Sequence, residues 1–257
     1  MAKSFIFRRF QNPSLFITPF SDVKQSGLWS DTETITWYAS TGLTSQEKDD
    51  ALFTLYQQYD KGVDYWIQER RYIPRLLITA FIFLILYVFF SLVVRDPIPM
   101  VDELIIATVG SLVSWRYLAS KDRKSEIAER RRLVLKQNAS RGTFVIDENL
   151  SVYEDYIDRC SALDPMTLAN KIARFDGESL EPLHTKKIDE STHLLIQKLF
   201  IQHVKSQQHS LYEMYLQVKK VHQSGKNHEL LAARLLKASH TKKIDIPLLA
   251  FLVELTK

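Results

Sequence analysis

The chain has 257 residues, an apolar fraction of 46% and a formal net charge of +4. Its one cysteine excludes an intramolecular disulfide framework and any metal site built from several cysteines. Seven glycines are too few for loops that cradle nucleotide phosphates, and the sequence has no GxxxxGK[ST], HExxH or GxSxG motif. We therefore predict no cofactor, no metal site and no catalytic residues, and we favour a role other than catalysis.

Residues 1–43 form a mixed, extended segment in which short β elements are expected. Ser14–Phe20 and Thr32–Tyr38 have the β-branched and aromatic content of strands. Thr44 and Glu47 then form a capping box, which predicts a helix over 44–75. An apolar seam follows with alternating spacings of four and three residues, at Leu52, Tyr56, Tyr59, Val63 and Trp66.

The strongest signal is a pair of apolar stretches, 76–94 and 100–119, which predict a transmembrane hairpin over 76–119. The first is nineteen residues without a charge, about 28 Å as a helix and enough to cross a hydrocarbon core. The second is shorter between charges, since only twelve residues separate Glu103 from Arg116. It suffices as a span if its charged ends lie at the interfaces.

The second stretch offers two kinds of candidate residue. Small side chains three and four positions apart suit close helix packing, namely Ala107, Gly110, Ser111 and Ser114. Asp102 and Glu103 could instead form a carboxylate ring at a pore mouth once several copies assemble as a homo-oligomer. The sequence leaves these alternatives open.

Basic residues flank the hairpin on one side, which predicts that both termini face the cytoplasm. The default location is a bacterial cytoplasmic (inner) membrane. A basic helix over 120–141 follows, and its charge would attract anionic membrane lipids. The plainer interpretation of this helix is a topology signal with a solvated face.

Residues 142–257 read as a cytoplasmic helical domain, so the predicted fold class is mostly α. Within it a hexapeptide, HTKKID, occurs at 184–189 and again at 240–245. Each copy precedes an apolar helix that its aspartate is placed to cap. The structural interpretation is a duplicated helix-entry turn. The functional one is an anion or partner site at two helix N-termini, formed by Lys186, Lys187, Lys242 and Lys243.

All seven histidines lie between 184 and 240. The spacing of Arg234 and His240 resembles the arginine-to-histidine motif of HEPN ribonucleases, although Leu235 stands where that family usually has a polar residue. The resemblance covers two residues and implies a helical ribonuclease with His240 in acid–base chemistry. Nucleic-acid binding is otherwise not indicated, since the lysine pairs lack an aromatic platform.

The leading hypothesis is a membrane-anchored scaffold whose cytoplasmic domain recruits a protein or a small anionic ligand to the membrane face. The second hypothesis is an oligomeric ion-conducting pore or membrane-disrupting effector gated by that domain. The third is the ribonuclease.

Overall fold

The computed structural model describes residues 2–10, 12–23, 34–93, 101–174, 183, 188–225 and 227–257. The strands are β1 (Ala2–Phe7), β2 (Leu15–Ile17), β3 (Ile35–Ala39) and β4 (Thr143–Ile146). The helices are α1 (Ser45–Arg70), α2 (Tyr72–Val93), α3 (Val101–Arg123), α4 (Glu126–Ser140), α5 (Ser151–Ala162), α6 (Pro165–Arg174), α7 (Glu190–Gln207), α8 (His209–Ser224), α9 (His228–Lys242) and α10 (Ile246–Leu255). The protein is therefore mostly helical with a short mixed sheet near the N-terminus, as predicted.

The chain divides into two compact units. The globular unit contains residues 1–22, 32–56 and 138–257, and the hairpin unit contains 23–31 and 57–137. The boundaries between them fall inside α1 and inside α4.

The sheet of the globular unit has the strand order β2-β1-β3-β4. β1 pairs antiparallel with β2 and parallel with β3, and β3 pairs parallel with β4. Strand β4 comes about a hundred residues after β3, so the segments before and after the hairpin unit share one sheet. The sequence pattern located β2 and β3 approximately, but it did not indicate β1 or the pairing of β3 with β4.

Helix α10 lies at the centre of the globular unit. Apart from Glu254 it is apolar, and nine of its ten residues are buried. The Phe251 ring packs against Phe200 at 5.0 Å between centroids, Tyr153 at 5.8 Å and Phe7 of β1 at 6.4 Å. A helix without a polar face is stable in water only when neighbouring elements cover it. Here α5, α6, α7 and α8 all contact α10.

Helices α1 to α4 build the hairpin unit as two antiparallel arms. In one arm, α1 continues into α2 through a one-residue break at Arg71, and in the other α3 continues into α4 through Lys124 and Ser125. The basic helix predicted over 120–141 is thus interrupted, because α3 extends to Arg123 before α4 begins. Asp64 accepts a 2.5 Å hydrogen bond from Arg132 across the arms.

The buried seam of α1 is turned by about one position from the predicted one. Its buried apolar side chains are Ala51, Leu55, Tyr59, Val63 and Ile67. Tyr59 and Val63 were assigned correctly, whereas the other predicted members are only partly buried. The capping box forms as predicted, since Glu47 accepts the Thr44 amide at 2.8 Å and Thr44 accepts the Glu47 amide at 3.2 Å.

Candidate functional site

Only part of the predicted lysine site falls within the described residues. Lys186 and Lys187 lie outside them. Lys242 is the last residue of α9, with its Nζ 3.8 Å from a carboxylate oxygen of Glu213. Lys243 follows in the left-handed backbone region at φ 50°, which turns the chain from α9 toward α10.

Lys243 lines a cavity of about 350 Å³ at this turn. His240 and Asp245 also line it, together with apolar side chains such as Leu168 and Ile246 and the polar side chains of Asn12, Ser161 and Ser239. Among the described residues, Lys243 is the one lysine or arginine that lines the cavity, and the Asp245 carboxylate beside it is paired with Arg9. A lysine beside apolar and polar side chains suits a small anionic ligand or an acidic segment of another protein.

The N-terminus of α10 is already occupied by the chain's own carboxylate. Asp245 accepts the Leu248 amide at 3.1 Å and an Nη2 hydrogen bond from Arg9 at 2.6 Å. The Arg9 side chain is 7% exposed and the Asp245 side chain 26%, so the arginine is buried while the carboxylate still reaches water. Asp189 caps α7 in the same way, accepting the Thr192 amide at 3.3 Å. The aspartates therefore act as the predicted caps, and they fill the positions that an external anion would need.

The described histidines are spread over several sites, although His222 and His228 bond the neighbouring carbonyls of Ile172 and Ala173. Tyr153 shares a 2.8 Å hydrogen bond with His193, and His228 donates to the Ala173 carbonyl at 2.7 Å. Burial lowers the pKa of His203 to about 4. No group of three or more His, Cys, Asp or Glu side chains arranged to hold a metal occurs in the described part of the chain.

The two residues of the ribonuclease resemblance both lie on α9 and are exposed. They are six positions apart, so they diverge by about 120° around the helix at 3.6 residues per turn. Leu235, between them, is buried. The helix therefore does not direct Arg234 and His240 toward a common point.

The residues singled out in the second apolar stretch divide between two faces of α3. Glu103 is 4% exposed, Ala107 is fully buried, and a Cβ at Gly110 would lie 2.5 Å from Leu86 of α2. These positions share one helix face because they are four and three residues apart. Ser111 and Ser114 are half-buried beside them, whereas Asp102 is exposed. Glu103 thus lies on the buried face, and the paired carboxylate ring of the pore hypothesis receives no support from this placement.

A larger cavity, of about 800 Å³, lies in the hairpin unit beside the breaks in both arms. We call it the joint cavity. Its lining comes from the end of α1, the start of α2 and the end of α3: Tyr65, Gln68, Glu69, Tyr72, Ile73, Arg75, Trp115, Arg116, Ala119, Ser120 and Arg123.

Arg75 organises the joint cavity. The side chain is 4% exposed, and its Nη2 lies 3.0 Å from Asp122 of α3. The guanidinium stacks 4.9 Å from the ring centroid of Trp115, and Tyr72 meets the same ring edge-on at 5.5 Å. A buried cation is tolerable here because it has both a carboxylate and an aromatic face as partners.

Arg123 and Arg116 complete the cationic part of the joint cavity. With the Gln68 amide turned so that its oxygen faces Arg123, this oxygen accepts from Nε and Nη2 of Arg123, each at 2.5 Å. Arg116 is exposed and lines the same cavity. Among the described residues, no Asp or Glu side chain lies within ion-pair distance of Arg116 or Arg123.

Sequence reasoning used these arginines only as an orientation signal and did not predict the cavity. Arg75 and Arg116 are about forty residues apart, and only antiparallel pairing of α2 with α3 brings them together. The available signal was a cluster of Arg, Trp and Tyr at the same end of both apolar stretches. No protein-family model, curated protein or solved structure matches this chain.

Proposed function

We propose that this chain is a membrane-anchored binding protein in which α2 and α3 form the anchor and the globular unit carries the binding surface. The observation that carries the proposal is the contrast between α2 and α10. Both helices are largely apolar, but α10 is covered by protein whereas only 6% of the most apolar stretch of α2 is buried. The surface of α2 therefore needs a covering that the described residues do not supply.

The length of α2 suits a lipid covering. Its 22 residues extend about 33 Å, close to the thickness of a hydrocarbon core. Its mean hydropathy is 2.8, and it is the one described helix long and apolar enough to cross a membrane by itself. Its exposed side chains, together with this length, suit a helix surrounded by lipid.

We propose that α3 crosses the membrane beside α2. Its outward face carries exposed apolar side chains at Leu104, Ile105, Val109, Leu112 and Val113. The opposite face packs on α2 through Ala107 and Gly110. A charged end of α3 can reach the interface while the apolar outward face meets lipid.

Both arms leave the proposed anchor at its basic end, where Arg70, Arg71, Lys121 and Lys124 cluster near the breaks. By the positive-inside rule this end faces the cytoplasm, so we place both termini there. A bacterial cytoplasmic membrane is the default host. The partner of the globular unit would be a protein segment or small ligand with negative charge, bound at the cavity of Lys243.

Membrane insertion can be tested with single cysteines, because the native thiol is protected. Cys160 is 4% exposed, and burial raises its pKa to about 11, so it should react slowly with maleimides. Phe53→Cys is placed in α1 at a site that is 61% exposed, and Asp96→Cys in the segment joining α2 to α3. Both variants carry Cys160→Ser as well, and Cys160→Ser with no added cysteine is the blank.

In intact spheroplasts, an impermeant maleimide should label Asp96→Cys and should label Phe53→Cys only after the membrane is opened. Alkaline carbonate should leave the protein in the membrane pellet. Release by carbonate would contradict the proposed anchor, and the reverse labelling pattern would contradict its orientation.

Partner binding can be tested by photo-crosslinking in cells from position 239, because Ser239 lines the Lys243 cavity. A crosslinked adduct should be lost when Lys242 and Lys243 are changed to Gln. Changing the exposed pair Lys219 and Lys220 of α8 to Gln removes the same charge and should leave the adduct unchanged. Equal yields in both double variants would contradict the binding assignment.

A further inference from the structure

The joint cavity adjoins the apolar outer surface of α2 and α3. Leu112 and Val113 lie one turn from Arg116 and are 58% and 62% exposed. Leu76 and Leu77 follow Arg75 on α2 and are 46% and 65% exposed. A ligand in the cavity could therefore contact cationic side chains at one end and a long apolar surface at the other.

The charge of the cavity is not balanced by its own acidic residues. Arg75 is paired with Asp122, but Arg116 lacks an acidic neighbour among the described residues, and Arg123 donates to the neutral Gln68. Glu69 is the one acidic side chain among the residues that line the cavity. Two guanidinium groups against one carboxylate leave a net positive site at the edge of an apolar surface.

We infer that the joint cavity binds the phosphate head group of an anionic membrane lipid. Guanidinium groups match phosphate oxygens in geometry and charge, and the Ser120 hydroxyl supplies a further donor at the wall. Trp115 and Tyr72 have the amphipathic rings favoured at the membrane interface. The volume of about 800 Å³ accommodates a head group, and the acyl chains would follow the exposed face of α3.

This inference rests on the proposed membrane anchor, and it names the lipid class that the anchor recognises. The test uses the full chain in detergent micelles with an equimolar mixture of phosphatidylglycerol and phosphatidylcholine. Native mass spectrometry counts the lipids retained. One test variant carries Arg116→Gln with Arg123→Gln. The control carries Lys121→Gln with Lys124→Gln, which removes the same charge nearby from residues that do not line the cavity.

Phosphatidylglycerol retention should weaken about tenfold more in the arginine variant than in the lysine control. Both variants lose the same general electrostatic attraction to anionic lipid, so the difference between them measures binding in the cavity. Ser120→Phe, which keeps every charge but fills part of the cavity, should also lower it. Phosphatidylcholine retention should stay unchanged. Inorganic phosphate and glycerol 3-phosphate, added as competitors, should displace little phosphatidylglycerol, since neither has acyl chains.

Equal losses in the arginine variant and the lysine control would overturn the site, as would unchanged retention in Ser120→Phe. Complete displacement by inorganic phosphate would show a site for soluble anions instead. Failure of the anchor itself has a different signature, namely release of the wild-type protein from membranes by carbonate. A protein that stays in the membrane without lipid selectivity would contradict this inference alone.

Discussion

Replacing Arg75 by methionine should destabilise the hairpin unit by about 3 kcal/mol. The change keeps much of the apolar stem but removes the ion pair with Asp122 and the stacking on Trp115. The stacking contributes about 1 kcal/mol. Leaving one member of a fully buried ion pair unpaired costs about 3–5 kcal/mol, and the Asp122 side chain, still 23% exposed, should cost about 2.

Thermal unfolding of the full chain in micelles, followed by circular dichroism, measures this effect. At about 2–4 °C per kcal/mol for a chain of this size, Tm should fall by about 6–12 °C. Adding Asp122→Asn removes the uncompensated carboxylate and should restore about half of the loss. Arg71→Met is the control, because Arg71 is exposed at the break between α1 and α2.

The reasoning would be refuted if Arg75→Met lowered Tm no more than Arg71→Met. It would also be refuted if Asp122→Asn added to the loss, because the pair would then not be the source of the effect. Arg75→Met should further reduce phosphatidylglycerol retention, since the freed carboxylate of Asp122 would add negative charge near the joint cavity.

Three further predictions concern acid stability, a helix cap and the contact between α2 and α3. Hydrogen bonding to the Arg8 side chain lowers the pKa of Glu47 to about 2, so the stability that this pair provides is present above the ordinary pKa near 4.5 and is lost as pH falls toward 2. Glu47→Gln should therefore flatten the pH dependence of the unfolding free energy between these values, and identical profiles for the two proteins would contradict this. Asp245→Ala should lower the free energy of unfolding in urea by about 3 kcal/mol, because it removes a helix cap and leaves the buried Arg9 without its ion-pair partner. Asp189→Ala removes a cap alone and should cost clearly less, and equal costs would argue against a special role for the pair of Arg9 and Asp245. Gly110→Leu should overpack against Leu86 and lower the free energy of unfolding by about 2 kcal/mol, measured by thermal unfolding. Adding Leu86→Ala should restore the lost stability, and a double variant no more stable than Gly110→Leu would exclude the contact between Gly110 and Leu86.

Local signals predicted much of the secondary structure. The Thr44 and Glu47 capping box and the Asp189 and Asp245 caps all depend on neighbours within a few residues. Short-range hydrogen bonds of this kind are readable from sequence because both partners lie in one turn. The pairing of β1 with β2 and β3 was not readable in the same way, because these strands begin eight and 28 residues after β1 ends.

The candidate sites depended on longer distances. The lysine repeat was visible in the sequence, but the ion pair between Arg9 and Asp245 joins residues 236 positions apart and could not be read there. The joint cavity likewise requires Arg75 to meet Asp122 and Trp115 across two helices. No local pattern specifies which faces of two distant helices meet.

The two apolar helices α2 and α10 show most clearly what the sequence determines and what only the tertiary structure determines. Composition alone determined that 76–94 would form a helix without a polar face, and it placed an apolar helix at the C-terminus. Only the tertiary structure separated the two, because α10 is enclosed by α5 to α8 while α2 keeps Phe81, Leu84 and Phe89 more than half exposed. The physical reason is that hydrophobicity belongs to a segment, whereas burial depends on which other segments reach it.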